Sequence, residues 1–511
     1  MLFTRIPIGQ QALRFVACQG ATPRYVATPR PFDLSEDSKI RLRLSFRPLG
    51  QLACTGTGRD LSGAYEPISG LGRARGFGAA TLLDDGRIWI GGGASEFDGN
   101  LLDTSAATPG WDIYDPADLV FLGGTARSTV INTRDIGPRI GMSAVPYNGS
   151  AGQTPGVLII GGASRLTLDI TAPSGPLNVD AGDLVSPFVS FFDTSTAQVS
   201  PVSGPPNSLP PRLFVGAAGD GRHAVIAGGL EPETGAPSRV VDVIAAGEIV
   251  SHRLPVGLYG PTATLLDANY ALVWGGSPED CGATPGWLVP LDGSPPSPLA
   301  LDGSDAPPAC PAPDAPLDAD CRAWYPTAHH SATLLEPNGA GRPRVLITGG
   351  LRIRGNRLVS NPYFGDGCRA NAFVVTIDTG AKRGTLTTIN LDAPGLNDAL
   401  QRAFHGSAIV GDQGLISGGW VLGAAAAALT PTGSVVPYTD RLAAGTFSVD
   451  ALPETTPRLG HMVVPTQDGT VLLAGGIRLT PSGLPEATNL AEIYSPPIDD
   501  VTCGLMTEAP Q

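Results

Sequence analysis

The sequence predicts an all-β protein built from a repeated, turn-rich unit. It contains 67 Gly and 49 Pro among 511 residues, nearly twice their usual share. Both residues are disfavoured inside helices and favoured in turns. Hydrophobic residues still make up 42% of the chain, so it can bury a core and is not a low-complexity disordered sequence. These observations exclude a helical bundle and disfavour a doubly wound α/β fold.

An apolar strand that ends in Gly-Gly recurs seven times, at intervals of 47 to 74 residues. Internal repetition at such a period is typical of propellers and solenoids. The pairs are Gly92 and Gly93, Gly161 and Gly162, Gly228 and Gly229, Gly275 and Gly276, Gly349 and Gly350, Gly418 and Gly419, and Gly475 and Gly476.

Each Gly-Gly strand is one of a set of four predicted strands. A first strand such as 78–83 leads through Asp84-Asp85-Gly86, a hairpin turn signal, into the second. A third strand such as 111–114 follows a variable loop, and a weaker fourth strand often ends the unit. Four antiparallel strands in each of seven units predict a seven-bladed β-propeller, whose blades must stack and close into a ring to bury their faces.

The repeats resemble the kelch family. An Arg stands ahead of the first strand in five repeats and a His three residues after that position in three, and Tyr114-Asp115-Pro116 matches the third-strand pattern. The resemblance implies structural roles for these residues, and we expect the arginines to make ion pairs or carbonyl hydrogen bonds between blades. Repeats four and five lack the Arg, and the fourth-strand Trp of kelch repeats is absent. The matching residues are Arg75, Arg139, Arg212, Arg402, Arg458, His330, His405 and His461.

The seventh unit has no clear fourth strand near the C-terminus. Residues 39–46 (KIRLRLSF) alternate charged and apolar side chains like a half-buried strand. We therefore predict an N-terminal extension over 1–38 and one propeller over 39–503. In that propeller 39–46 closes the ring and the blades begin near residue 70, and a tail covers 504–511. The alternative is that 39–46 forms a free β-arm.

Charge and hydropathy exclude several classes of partner. The net charge is −14 and the only lysines are Lys39 and Lys382, so no basic stretch could neutralise nucleic-acid phosphates or dock on an anionic membrane. No apolar run reaches the ~18 residues of a transmembrane helix.

The seven cysteines suggest disulfides, because none forms a C-x-x-C zinc pattern. Cys281, Cys310, Cys321 and Cys368 lie in polar loops that a propeller places on one face, most simply as Cys281–Cys310 and Cys321–Cys368. A further Cys54–Cys503 bridge would staple the ends of the ring. Disulfides indicate an extracytoplasmic location, whether periplasmic, cell-surface or secreted. The alternative is a reduced protein with scattered thiols.

The remaining cysteine, Cys18, follows small residues as in a bacterial lipoprotein cleavage site (Val16-Ala17-Cys18). It is therefore a candidate for lipidation, which would provide the only membrane attachment. The alternative is an ordinary thiol in a loose N-terminal segment.

No constellation in the sequence points to catalysis or to a cofactor. His330, His405 and His461 could share one rim and bind a metal, but the kelch resemblance favours a structural role. We expect a non-catalytic scaffold whose loop face binds another protein or a surface glycan. The alternative is an enzyme acting on a carbohydrate or small molecule, with Arg, Glu, Tyr or His residues converging on one mouth of the central channel.

Overall fold

The computed structural model describes residues 9–11, 13–28, 32–34, 44–55, 58–59, 65–66, 70–98, 101–103, 110–116, 120–123, 136, 139–149, 155–168, 179–181, 188–202, 204, 209–231, 235–276, 286–302, 327–354, 357–358, 372–391, 395–422, 429–440, 446–447, 456–498 and 503. Over these residues the protein is all-β, as predicted. Its sheets are almost entirely antiparallel, and the helix Leu396–Leu400 is the single α-helix of the described chain.

Seven sheets in the described part of the chain share one plan, with four strands paired antiparallel in the order first, second, third, fourth. Six of them take all four strands from consecutive segments of the chain. Sheet 1 has Ala79–Leu82, Ile88–Gly91, Trp111–Asp115 and Val120–Gly123; sheet 2 has Ser143–Tyr147, Gly156–Ile160, Val189–Asp193 and Gln198–Pro201; sheet 3 has Gly216–Gly219, His223–Ala227, Ser238–Ala245 and Glu248–Leu258; sheet 4 has Thr262–Leu265, Tyr270–Trp274, Gly286–Pro290 and Ser297–Pro298; sheet 5 has Ser331–Leu335, Arg344–Thr348, Ala372–Asp378 and Arg383–Thr388, with Ala300–Leu301 added in parallel; sheet 6 has Gly406–Val410, Gln413–Ser417, Val435–Thr439 and Thr446–Phe447.

Sheet 7 takes its fourth strand from the other end of the chain. Its first three strands are Met462–Pro465, Val471–Ala474 and Ala491–Ser495, and Gln51–Cys54 pairs antiparallel with the third. An N-terminal strand therefore completes this sheet, but the prediction that residues 39–46 form this strand was wrong. Residues 39–43 lie outside the described residues, and 44–46 form no strand.

The choice of Gln51–Cys54 has a packing reason. Leu52 packs against the core between sheets 6 and 7, whereas Ala53 packs against the core between sheets 7 and 1. A strand held between two neighbouring sheets needs small or apolar side chains on both faces. The alternating pattern of 39–46 would place charged side chains on one of those faces.

Each pair of successive sheets encloses its own hydrophobic core. Seven such clusters lie between sheets 1 and 2 through to sheets 7 and 1. An eighth takes residues from all seven units, and we call the line through it the axis. The first strands of successive sheets contact one another, and Met462–Pro465 of sheet 7 contacts Ala79–Leu82 of sheet 1. Second strands such as Gly156–Ile160 are buried at every residue, because neighbours cover both of their faces.

A second layer of short strands follows the Gly-Gly pairs in five units. We call it the hairpin layer. It consists of Glu96–Asp98, Leu101–Asp103, Arg165–Leu168 and Val179–Ala181 in one sheet, Leu351–Arg354 and Arg357–Leu358 with Thr327–Ala328, Trp420–Leu422 and Leu429–Pro431 with Arg402–Ala403, and Ile477–Leu479 with Pro485–Ala487.

The N-terminal segment forms its own small sheets. Phe15–Gln19, Thr22–Ala27 and Arg47–Pro48 make a three-stranded sheet that leads directly into Gln51–Cys54. The side chain of Arg47, 3% exposed, binds Asp468 of sheet 7 at 2.5 Å. Two further pairs are Gly9–Gln11 with Phe32–Leu34 and Gly58–Arg59 with Tyr65–Glu66.

Candidate functional site

A four-residue axial slot precedes the first strand of every unit. The slots begin at residues 75, 139, 212, 258, 327, 402 and 458, and we number their positions 1 to 4. The five arginines singled out from the sequence occupy position 1, and each is at most 4% exposed. In each, Nη1 donates to the carbonyl of the first Gly of its own Gly-Gly pair. The bonds join Arg75 to Gly92, Arg139 to Gly161, Arg212 to Gly228, Arg402 to Gly418 and Arg458 to Gly475.

The Arg side chains therefore act within a unit, whereas we expected them to act between blades. The link between units comes from the backbone. In six of the seven units the second Gly donates its N–H to the carbonyl of the next position 1 residue, as from Gly350 to Arg402 at 2.8 Å and from Gly476 to Arg75 at 2.6 Å. Gly350 has φ +106°, and a Cβ there would lie 2.6 Å from the Cβ of Thr327, so only glycine fits.

Acidic partners distinguish two kinds of arginine. Arg75, Arg212 and Arg458 pair with Asp112, Asp242 and Glu492 respectively. Arg139 and Arg402 instead bond to carbonyls and to a serine hydroxyl, Ser190 or Ser434. Burial lowers the pKa of Arg139 to about 10 and that of Arg402 to about 9. Both guanidiniums stay charged at neutral pH because carbonyl oxygens satisfy their N–H groups.

Two units lack the Arg, as the sequence indicated. In unit 5, Thr327 donates from Oγ1 to the carbonyl of Gly349, which is the acceptor that an Arg would use. In unit 4, position 1 is Leu258, the last residue of the long strand Glu248–Leu258. Its carbonyl accepts from the N–H of Gly229, so the backbone link between units is kept without an Arg.

The three predicted histidines occupy position 4 of consecutive slots, and each reaches the preceding unit. His330 Nε2 lies 2.8 Å from Thr262 Oγ1, His405 Nε2 lies 2.9 Å from Ser331 Oγ, and His461 Nε2 lies 2.8 Å from Ser417 Oγ. These bonds join sheet 4 to 5, sheet 5 to 6 and sheet 6 to 7.

We call His330, His405 and His461 the joint histidines, because they join one unit to the next. Burial keeps them neutral. It lowers the pKa of His330 to about 4 and holds those of His405 and His461 well below the ordinary value. His330 Nδ1 faces the Thr327 carbonyl at 3.0 Å. A carbonyl can only accept, so Nδ1 carries the proton and Nε2 accepts from Thr262.

Position 3 forms an aromatic plug on the axis, which the sequence reasoning missed. The residues there are Phe77, Gly141, Phe214, Gly260, His329, Phe404 and Gly460, and all have φ between +39° and +67°. Backbone hydrogen bonds link this position from unit to unit, for example Phe77 N–H to the Gly460 carbonyl at 2.9 Å. The four rings pack together, with Phe77 and Phe404 centroids 5.3 Å apart. Aligning the units on position 1 would have shown that position 3 is always an aromatic residue or glycine.

Among the described residues, one disulfide is present, and it joins Cys18 to Cys503. The predicted Cys54–Cys503 pairing was therefore wrong. The N-terminal sheet brings the strand Phe15–Gln19 beside the C-terminal segment, while the strand Gln51–Cys54 is held in sheet 7. The Cys18 sulfur is occupied in this bond, which also corrects its assignment as a lipidation site. Cys281, Cys310, Cys321 and Cys368 lie outside the described residues.

The two ends of the axis differ. At one end, first and second strands meet in short turns such as 83–87. The other end carries the hairpin layer, in which neighbouring units contact one another. Glu96–Asp98 contacts Pro485–Ala487, and Leu429–Pro431 contacts Ile477–Leu479. At the tip of the last hairpin, Leu484 is 59% exposed.

Searches against protein families and curated proteins find no match for this chain. Within the described ranges, no cluster of His, Cys, Asp and Glu has the arrangement of a metal site. None of the helices there is long and apolar enough to span a bilayer.

Proposed function

We propose that the seven sheets are the blades of a closed, kelch-type β-propeller that works as a non-catalytic binding scaffold. The backbone link from Gly476 to Arg75 and the apolar core between sheets 7 and 1 support a closed ring. The Arg and Gly-Gly contacts repeat from unit to unit, as a kelch-type slot requires. Because a fold does not fix a function, the functional proposal rests on the surface.

The observation that carries the functional proposal is the difference between the two ends of the axis. A propeller needs only short connections, yet five units extend theirs into short strands, and the strands of four of these units pair or pack across units. Loops held on a rigid scaffold are the usual place for binding residues. We assign partner binding to the hairpin layer and its exposed tips, including Leu484. The partner is another protein or a surface glycan, and the exposed leucine favours a protein.

We also propose that the protein works outside the cytoplasm, in the periplasm, on the cell surface or as a secreted protein. The Cys18–Cys503 disulfide supports this location, because structural disulfides persist in oxidising compartments.

The test compares two Leu→Asp variants in affinity capture from extracts of the native cell envelope. Leu484→Asp alters the hairpin layer, whereas Leu334→Asp alters a 43% exposed leucine in the first strand of sheet 5. We expect wild type and Leu334→Asp to capture the same partner and Leu484→Asp to lose it, with unchanged circular dichroism spectra. Deglycosylation of the captured partner separates the two partner classes. Equal capture by all three chains would refute the assignment to this face.

A further inference from the structure

A cavity of about 230 Å³ lies on the axis against the aromatic plug. It is lined by the residues at positions 3 and 4 of all seven axial slots, together with Ser143 and the side of the first strands. Every unit therefore contributes to its wall. This cavity is separate from the hairpin layer, so an inference about it does not depend on the proposed partner binding.

The lining excludes an ionic ligand. No Asp, Glu, Lys or Arg is among the described residues that line the cavity. Its position 4 histidines use Nε2 in the joints between units, and burial keeps them neutral. A charged group placed here would gain no counter-charge in exchange for the hydration that it gives up, which is unfavourable.

Aromatic and apolar side chains line the cavity beside these histidines and Ser143. Phe77, Phe214 and Phe404 form one side, and Met142 and Val215 contribute apolar walls. A rigid apolar cavity of about 150 Å³ is enough to hold benzene in a protein interior. The axial cavity is larger, so it can take one six-membered ring with a small substituent. The aromatic rings of the plug favour an aromatic ligand, because aromatic rings attract one another edge to face.

The imidazole of His329 adds a further polar group to this lining. Its ring stacks on Phe404 with centroids 4.3 Å apart and meets Phe214 edge-on at 4.9 Å. Unlike that of His330, its side chain makes no hydrogen bond to any residue that the structure describes. A neutral imidazole offers one donor and one acceptor, so His329 can bond to a hydroxyl or a ring N–H of a ligand.

We propose that this axial cavity binds a small neutral aromatic molecule that carries one hydroxyl or ring N–H, of the size of phenol or indole. Its ring packs against the plug, and its polar group hydrogen-bonds to His329. Three other units place Phe at position 3 with the same positive φ. Therefore His329→Phe keeps the plug and removes only the hydrogen-bonding group.

The experiment measures phenol, toluene and benzoate binding to the full oxidised chain by calorimetry and ligand-observed NMR. We expect saturable binding of phenol and weaker binding of toluene and benzoate. His329→Phe should weaken phenol binding about tenfold, the usual cost of one lost hydrogen bond, while toluene binding stays within about twofold. An equal loss of both, or no loss of phenol binding, would overturn the role of His329.

A second pair of variants tests the location. Val215→Phe fills the cavity, and Val250→Phe is its matched control at a 37% exposed valine of sheet 3. We expect Val215→Phe to abolish phenol binding and Val250→Phe to leave it unchanged, with thermal unfolding confirming that both are folded. Phenol binding that survives Val215→Phe, tighter binding of benzoate than of phenol, or no saturable binding up to the solubility limit of phenol would overturn the proposal.

Discussion

In two halves of the molecule around the axis, neighbouring units are joined by different chemistry. Between sheets 4 and 5, 5 and 6, and 6 and 7, a buried neutral His at position 4 bonds to a hydroxyl of the preceding unit. In the other half the same position holds Gly78, Met142, Val215 or Pro261, of which Met142 and Val215 belong to the apolar cores between sheets. Both halves share the apolar packing between sheets, but only the half with the histidines adds side-chain bonds that depend on a protonation state.

The largest difference between the two halves should be their loss of stability in acid. The pKa values of the joint histidines are lowered by burial, so between pH 6.5 and the folded-state pKa the unfolded chain binds more protons. Stability is then complete above pH 6.5 and falls as pH decreases, by up to roughly 4 kcal/mol per pH unit for these three groups. His329 lies in the same half, and because burial lowers its pKa to about 3, it adds to the loss. Urea unfolding at pH 7.0 and 5.5 measures this loss. Hydrogen exchange should locate the first opening at sheets 4 to 7, and uniform opening around the axis would contradict the account.

Removing a buried guanidinium should cost about 3 kcal/mol in either half. Arg402→Met leaves the carbonyl of Gly418 without a donor and removes one of the two donors to the carbonyl of Ser434. Each unsatisfied buried acceptor costs about 1–3 kcal/mol. Arg139→Met does the same to Gly161 in the other half. Urea unfolding at pH 7 should show similar losses for both. A much smaller loss for Arg139→Met would mean that packing substitutes for the Arg in the apolar half.

Loss of the disulfide should cost roughly 2–4 kcal/mol and be independent of pH between 7.0 and 5.5. Cys503→Ser breaks the bond to Cys18, beside sheet 7, without altering any joint histidine. Thermal unfolding of this variant and of wild type under non-reducing conditions checks the effect. A stability loss that grew on acidification would connect the disulfide to the histidine joints and break the division into halves.

The smallest expected change in stability comes from replacing a position 4 histidine with the apolar residue found at that position in the other half. His405→Met copies Met142 and removes the bond to Ser331, which should cost about 1 kcal/mol at pH 7. It also removes one titrating group. The variant should therefore be less stable than wild type at pH 7.0 and more stable at pH 5.5, and parallel stability curves would argue against a role for His405 protonation.

The repeat and its structural residues could be predicted because they are local. Gly-Gly pairs and position 1 arginines recur at matching places in each unit, and a hairpin needs only neighbouring residues. The closing strand could not be assigned, because Gln51–Cys54 is short and lies between two sheets, whereas 39–46 carries the stronger alternation. Likewise, the partner of Cys503 depends on how the N-terminal sheet folds back. The plug at Phe77 and His329 was missed because aromatic residues rarely adopt positive φ.

The central claim is that seven sheets close on one another through the chain's two ends. An experimental electron-density map of the full oxidised chain tests it most directly. The account predicts Gln51–Cys54 paired with Ala491–Ser495, and the Gly476 N–H within hydrogen-bonding distance of the Arg75 carbonyl. A map that places Gln51–Cys54 elsewhere, or that separates Gly476 from Arg75, would contradict the closed arrangement.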